Sequence, residues 1–390
     1  MGRKARYVLP WQRPDKITDS GAGFPKPLLR PNHHHFIKTG FLSIMPPTVV
    51  IIGSGVTGLS VALALPRTFR VTIVARDHVG DNQSKKWASP WAGAGCLPWI
   101  NTSEDDINLQ KSSLRYLWKL AATDPESSVR VVTNIAFWEK GTSNGEKPWF
   151  EDFMVDCREL PPSDLPEGVT MGHEFKTLTM NPQVYLFWLK NQLQVSGNVK
   201  FVRRELNHIS EVLDCLPKDV SKEEIILVNA TGCGAKYLGG VKDSAVQEAR
   251  GQTMLVKSPL TTVYVRSGEE YAYAIPRGDG TVVLGGISQI NNTDTSVDPE
   301  LKHEILRRVN RLTPPGTFPA KVEDLDLVED ITGVRPGRAG GVRLERELIK
   351  VEGQGDSSVS QLRVVHAYGM GGGGYKYSAW CGDEGCSIGE

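Results

Sequence analysis

The sequence lacks the features that would place it in several broad classes. No stretch of about 18 apolar residues occurs, so no helix is expected to cross a membrane; the apolar run Val49–Ile52 has only a strand's length. Neither sign of charge dominates. Lys plus Arg and Asp plus Glu number 45 each, which leaves no basic excess for nucleic-acid phosphates. The six cysteines, Cys96, Cys157, Cys215, Cys233, Cys381 and Cys386, form no C-x-x-C pair. Cys381 and Cys386 have no histidine at zinc spacing, so no metal site is expected, and the thiols read as reduced and packed, as in an intracellular protein. Nothing places a serine on a strained strand-to-helix nucleophile turn.

What is present is an ordinary globular composition, 39% hydrophobic over 390 residues, longer than one core usually serves. The first 45 residues differ: they hold eight Lys or Arg against two Asp, several prolines and the trio His33–His35. A disordered tail is preferred there over an organelle leader, because prolines oppose an amphipathic helix. A strand beginning at Thr48 makes a natural domain start.

Thr48–Ile52 reads as that strand. Gly53-Ser54-Gly55-Val56-Thr57-Gly58 follows, then the helix-forming run Leu59–Leu65, then a second strand, Arg70–Ala75. This is βαβ order with G-x-G-x-x-G at the first turn, the context in which that motif binds a pyrophosphate at a helix N-terminus. Arg76 and Asp77 end the second strand. Asp77 can accept from a ribose hydroxyl; Arg76 can meet a phosphate, as in NADP binding, or stack on adenine; both can equally be a solvated turn.

Helices are expected over Ser103–Ala122, Asn181–Val195 and Pro299–Leu312. Strands are expected over Val129–Trp138, Ile225–Asn229 and Leu362–His366, and a series of short ones over Thr253–Lys257, Thr261–Arg266, Tyr271–Pro276 and Thr281–Gly285 suggests an antiparallel sheet. The expected class is α/β, a Rossmann-type FAD-binding domain interleaved with an antiparallel-sheet substrate domain. The nucleotide-binding part takes 46–100, 225–240 and 325–376. The substrate part takes mainly 101–224 and 241–324, and 377–390 is an atypical tail. Domains interrupted in this way place a small-molecule site at their interface.

Three further segments narrow the reading: Ala88-Ser89-Pro90-Trp91-Ala92-Gly93-Ala94, Ile331-Thr332-Gly333-Val334-Arg335-Pro336, and His366-Ala367-Tyr368-Gly369 running into Gly371–Gly374. With Gly53–Gly58 and Tyr271–Arg277, they resemble the D-amino acid oxidase and D-aspartate oxidase family in the same chain order, from Val49 to Tyr375. The resemblance implies bound FAD. It also implies oxidative deamination of D-amino acids to 2-oxo acids and ammonia, with oxygen reduced to hydrogen peroxide; a homodimer is compatible with it. Arg335 and Tyr273 would hold the substrate carboxylate, a bidentate task suited to guanidinium, so catalysis is largely positioning. No catalytic base is nominated, because flavin takes the hydride. His366 reads as a packed residue.

Besides Gly53–Gly58, the cofactor contacts would come from Arg76, Asp77, Ser89, Gly93, Ala94, Gly232, Gly371, Gly372, Gly374, Tyr375 and Lys376. Lys376 is either a cation near the flavin or a solvated lysine. Trp99, Ser288 and Gly372 would border the substrate. Ser288 stands where relatives carry a second tyrosine or an arginine for an acidic side chain. Being neither, it tilts the expectation toward neutral substrates, with Arg266 as a candidate cation that could reverse it. Three alternatives remain: a D-aspartate oxidase, an inactive remnant of the family, and an NAD(P)-dependent dehydrogenase. Tyr377–Glu390 has no amphipathic period and no Ser-Lys-Leu ending. A helix covering the FAD is therefore expected to be missing; the resemblance implies a peroxisomal location, but without that ending in this chain, and otherwise a cytoplasmic one is expected.

Overall fold

The computed structural model describes residues 46–378, apart from 82, 101, 143–146, 217–219, 221–224 and 353–358. The readings of the N-terminal tail and of the last residues lie outside the described residues. No described helix is long and apolar enough to cross a membrane.

Thr48–Ile52 is buried at every position, as an apolar β-branched run with no polar alternation must be at the centre of a parallel sheet. It pairs in parallel with Arg70–Ala75 on one side and Ile225–Asn229 on the other. The six-stranded sheet is completed by Val199–Arg203 at one edge and by Val359–Tyr368 and Arg343–Glu352 at the other. Helix Val56–Ala64 leaves the first strand through Gly53, whose φ of 112° suits a residue without a side chain. A Cβ there would collide with the Ala230 carbonyl of the neighbouring strand end.

Among the described residues the second sheet has nine strands around Val246–Lys257, which pairs antiparallel with Thr281–Gly285, Gln289–Ile290 and Leu327–Arg338. Alternation divides its residues between two faces. Met254, Val256, Ala272, Ala274, Val282 and Leu284 pack with Ile305, Leu306 and Val309 of helix Pro299–Leu312. Leu255, Tyr273, Ile275 and Val283 face the other way and join the core of the nucleotide-binding half.

The α/β class and the two interleaved sheets are as read from the sequence. The segment 325–376 divides, however. Leu327–Arg338 finds its register along Val246–Lys257 and lies in the antiparallel sheet, and only the part from Arg343 onward returns to the parallel one. Val199–Arg203, within a stretch given mainly to the substrate domain, pairs instead with Arg70–Ala75.

Candidate active site

The carboxyl ends of the parallel strands open into a cleft of about 840 Å³ that continues onto the inner face of the larger sheet. Gly53, Ser54, Val56 and Thr57 line it; Gly55 and Gly58 do not, and Gly58 packs against the Gly53 carbonyl. The Ser54 hydroxyl donates to the Asp77 carbonyl, tying the glycine turn to the end of the next strand. Arg76 donates to the Asp77 carboxylate at 2.8 Å, to Glu205 at 3.2 Å and to the Lys86 carbonyl at 2.9 Å. Its donors thus face two carboxylates and a carbonyl, so this guanidinium is engaged rather than free for the 2′-phosphate of NADP. Thr231 and Gly232 close this end.

The segment from Ser89 to Trp99 crosses the cleft and is latched from several elements. The Val56 N–H donates to Ser89 Oγ at 2.9 Å, and the Tyr375 hydroxyl donates to the Ser89 carbonyl at 2.7 Å. Arg277 is buried and donates to the Ala92 carbonyl at 2.9 Å. Lys376, only 2% exposed, donates to the Leu97 carbonyl at 2.9 Å, and its ammonium lies 3.8 Å from the centroid of the Trp99 indole. It is therefore no solvated lysine, and burial holds its pKa well below the ordinary value. Gly93, Ala94, Gly371, Gly372 and Gly374 line the cleft around this segment.

The far end is built by cross-strand register. Ile331 stands beside Thr253, Tyr273 is paired with both Val265 and Gly285, and Gly333 stands beside Gly251. Of these, all but Gly285 line the cleft. The half-buried Arg335 donates to the Ile287 carbonyl at 2.8 Å and reaches the Tyr273 hydroxyl at 3.5 Å. No carboxylate pairs with it among the described residues. Tyr271 stacks edge-on to Tyr273, with ring centroids 5.7 Å apart, and burial pushes its hydroxyl up to about 12 although Arg335 pulls the other way. Arg335, Tyr273, Tyr271 and Trp99 thus surround one polar recess whose free charge is positive.

Two sequence readings fail here. Ser288 is exposed and does not line the cleft. The strand ends at Gly285, and the chain turns the Ile287 carbonyl toward Arg335, which sends the next side chain outward. Arg266 is neither a surface residue nor a wall of the cleft. It is buried against Glu139, at 2.6 Å, on the opposite face from Val265. Conversely, Tyr271, Thr253 and Gly251 were not nominated. Their signal was the period of two, since each lies two residues from a cleft-facing position.

FAD fits this cleft by its wall chemistry. The indole N–H of Trp87 and the hydroxyl of Thr253 are buried in that wall without partners among the described residues, and buried polar groups are rarely left so unless something else satisfies them. The volume is toward the upper part of the range of about 300–1,000 Å³ usual for small-molecule sites. A dinucleotide cradle opening onto an unpaired arginine defines a cofactor-dependent enzyme acting on small carboxylates. The chain belongs to the FAD dependent oxidoreductase family, whose model matches residues 48–386.

The chain is 31% identical to a D-amino-acid oxidase of Schizosaccharomyces pombe over 337 residues, 85% of this chain and 92% of that one. It is equally, at 31% over 361 residues, similar to a D-amino-acid oxidase of Fusarium vanettenii, covering 87% and 96%. A D-aspartate oxidase of Talaromyces thermophilus is 28% identical, covering 86% of this chain and 92% of its own. Among solved structures, glycine oxidase from Geobacillus kaustophilus shares the fold, with a TM-score of 0.64 at 17% identity, covering 86% of this chain and 93% of its own.

Proposed function

We propose that the protein oxidatively deaminates D-amino acids with neutral side chains, giving 2-oxo acids, ammonia and hydrogen peroxide. The observation that carries this reading is the unpaired Arg335 guanidinium beside the Tyr273 hydroxyl. Arg335 would receive the substrate carboxylate bidentately, and Tyr273 would add a third donor. When bound, FAD accepts the two electrons released as the Cα–N bond becomes an imine, and dioxygen takes them on to peroxide. Gly53, Ser54, Val56, Thr57, Asp77, Ser89, Gly232 and the turn Gly371–Gly374 would hold the cofactor.

No histidine lines the cleft among the described residues, and the Tyr271 hydroxyl is too weak an acid to shuttle protons near neutrality. The substrate amine would therefore enter neutral, and the residues' work is to fix Cα in place and exclude water. Neutral side chains are favoured because the nearby sheet cations are engaged elsewhere. Arg266 is paired with Glu139, and Arg250 donates to Gln252, Gln289 and the carbonyls of Asp294 and Ser296. A peroxisomal location and a homodimer belong to the same proposal by family resemblance.

The test is the visible spectrum of the purified protein under anaerobic D-alanine, L-alanine and D-aspartate. Bleaching of a bound flavin by D-alanine alone is expected. Faster bleaching by D-aspartate would make it a D-aspartate oxidase, and a colourless protein that FAD cannot reconstitute would mark an inactive remnant. Replacing Arg335 by methionine should raise the KM for D-alanine about a hundredfold, the order expected for losing a charge-assisted clamp of about 3 kcal/mol.

A further inference from the structure

Trp99 is a large aromatic of the cleft wall that remains open to solvent, 40% exposed. Its backbone is anchored on both sides: its N–H donates to Gln110 Oε1 at 2.9 Å, and its carbonyl accepts from the Trp149 indole at 2.8 Å. Those bonds fix the Cα but leave the side-chain torsions free. Two groups bear on the indole face, the Lys376 Nζ 3.8 Å from its centroid and the Tyr377 ring, T-shaped to it with centroids 5.6 Å apart.

The far edge of the indole reaches the glycine turn. A Cβ built at Gly372 would stand 4.0 Å from Trp99 Cζ2 and 3.9 Å from Arg335 Cδ. Trp99 and Arg335 thus flank the same glycine, and the space between them is where the side chain of a carboxylate-anchored substrate must go. Lys376 has no ion-pair partner among the described residues; its contacts are the Leu97 carbonyl and the aromatic faces. In its protonated form, a desolvated Nζ over an indole face is the setting in which cation–π attraction is strongest.

We propose that Lys376 is the positioning residue that holds the Trp99 indole over the amino-acid end of the cleft and so sets how bulky a side chain the site admits. The inference rests on the reading of Arg335 as the carboxylate anchor. It gives a role to a buried lysine that has no ion-pair partner among the described residues.

The test uses the flavin-loaded protein and two ratios. One is kcat/KM for D-phenylalanine over D-alanine. The other is the affinity for benzoate over acetate, read from the flavin absorbance, which needs no turnover. Lys376→Met and Lys376→Gln should each move both ratios toward the bulky ligand by about fivefold or more, while Lys376→Arg keeps them within about twofold of the parent. In a Trp99→Phe background, Lys376→Met should add nothing further. Ratios unmoved in both the methionine and glutamine variants overturn the proposal. So does loss of flavin from both, which would assign the lysine to the fold. If the parent turns over no D-amino acid but its benzoate-to-acetate ratio shifts as stated, the oxidase reading falls and this inference stands.

Discussion

The Arg335 guanidinium occupies the space that a side chain at residue 251 would need: a Cβ on Gly251 would stand 2.7 Å from Arg335 Cζ. Gly251 faces Gly333 across the ladder, two positions before Arg335 on the partner strand, so one strand leaves a vacancy and the other fills it with a charge. The obstruction falls on the tip of a long side chain, which can swing aside at little cost to the fold. Gly251→Ala should therefore keep the melting temperature within a few degrees and retain the flavin. Affinity for benzoate should fall by about tenfold to a hundredfold, since displacing a positioning group by about 1 Å has that effect. Unchanged benzoate binding would show that the guanidinium is not the anchor, or that its position is not set by residue 251.

The nucleotide half was legible because its signals are local. A buried run, a glycine turn and a helix start lie within 18 residues, Thr48–Leu65, and each implies the next. At the amino-acid end, Tyr273, Arg335, Trp99 and Gly372 were named from the family motifs, and all four line the cleft. Thr253 and Gly251 reach the same recess through strand pairing with Leu327–Arg338, roughly 80 positions away, and one sequence does not show which register two strands take. Ser288 failed for the same reason. It was named for its place in the family pattern, but the strand had already ended at Gly285 and the side chain is exposed. Lys376 stayed ambiguous because burial, not residue type, decides what a lysine does.

Arg266 offers a check on where the specificity lies. It is buried, and Glu139, which neutralises it, also accepts from the backbone N–H groups of Glu269 and Glu270. Glu139→Ala would strand a buried guanidinium with only the Glu167 carbonyl. The expected cost is about 3–5 kcal/mol, whereas replacing both partners by apolar residues of similar size should cost much less. Because the pair faces away from the cleft, the ratio of activity on D-aspartate to that on D-alanine should not change in the double variant. A rise in that ratio would place Arg266 within reach of the substrate after all.

The last prediction concerns pH. His366 is fully buried and bridges the cofactor cradle to the sheet edge. Asn229 Oδ1 accepts from the Thr231 hydroxyl at 2.7 Å and its N–H at 3.3 Å, so the Asn229 amide nitrogen faces His366 and donates to Nδ1 at 3.1 Å. Nδ1 must then be unprotonated, and Nε2–H donates to Glu347 at 2.9 Å. Burial holds the imidazole below its ordinary pKa; Glu347 opposes this and Arg343 reinforces it. The unfolded chain takes up this proton near pH 6.5 while the folded one resists it, so the contribution is complete above pH 6.5 and is lost as pH falls through the lower folded value. His366→Asn presents a non-titrating acceptor to Asn229. The melting-temperature advantage of the parent over this variant should shrink by about 2 °C or more between pH 7.5 and 5.5. The other histidines are common to both proteins and cancel in the difference. A difference that stays constant across that range would mean that His366 does not hold Asn229 as a neutral acceptor, and that the Thr231 turn keeps its shape without it.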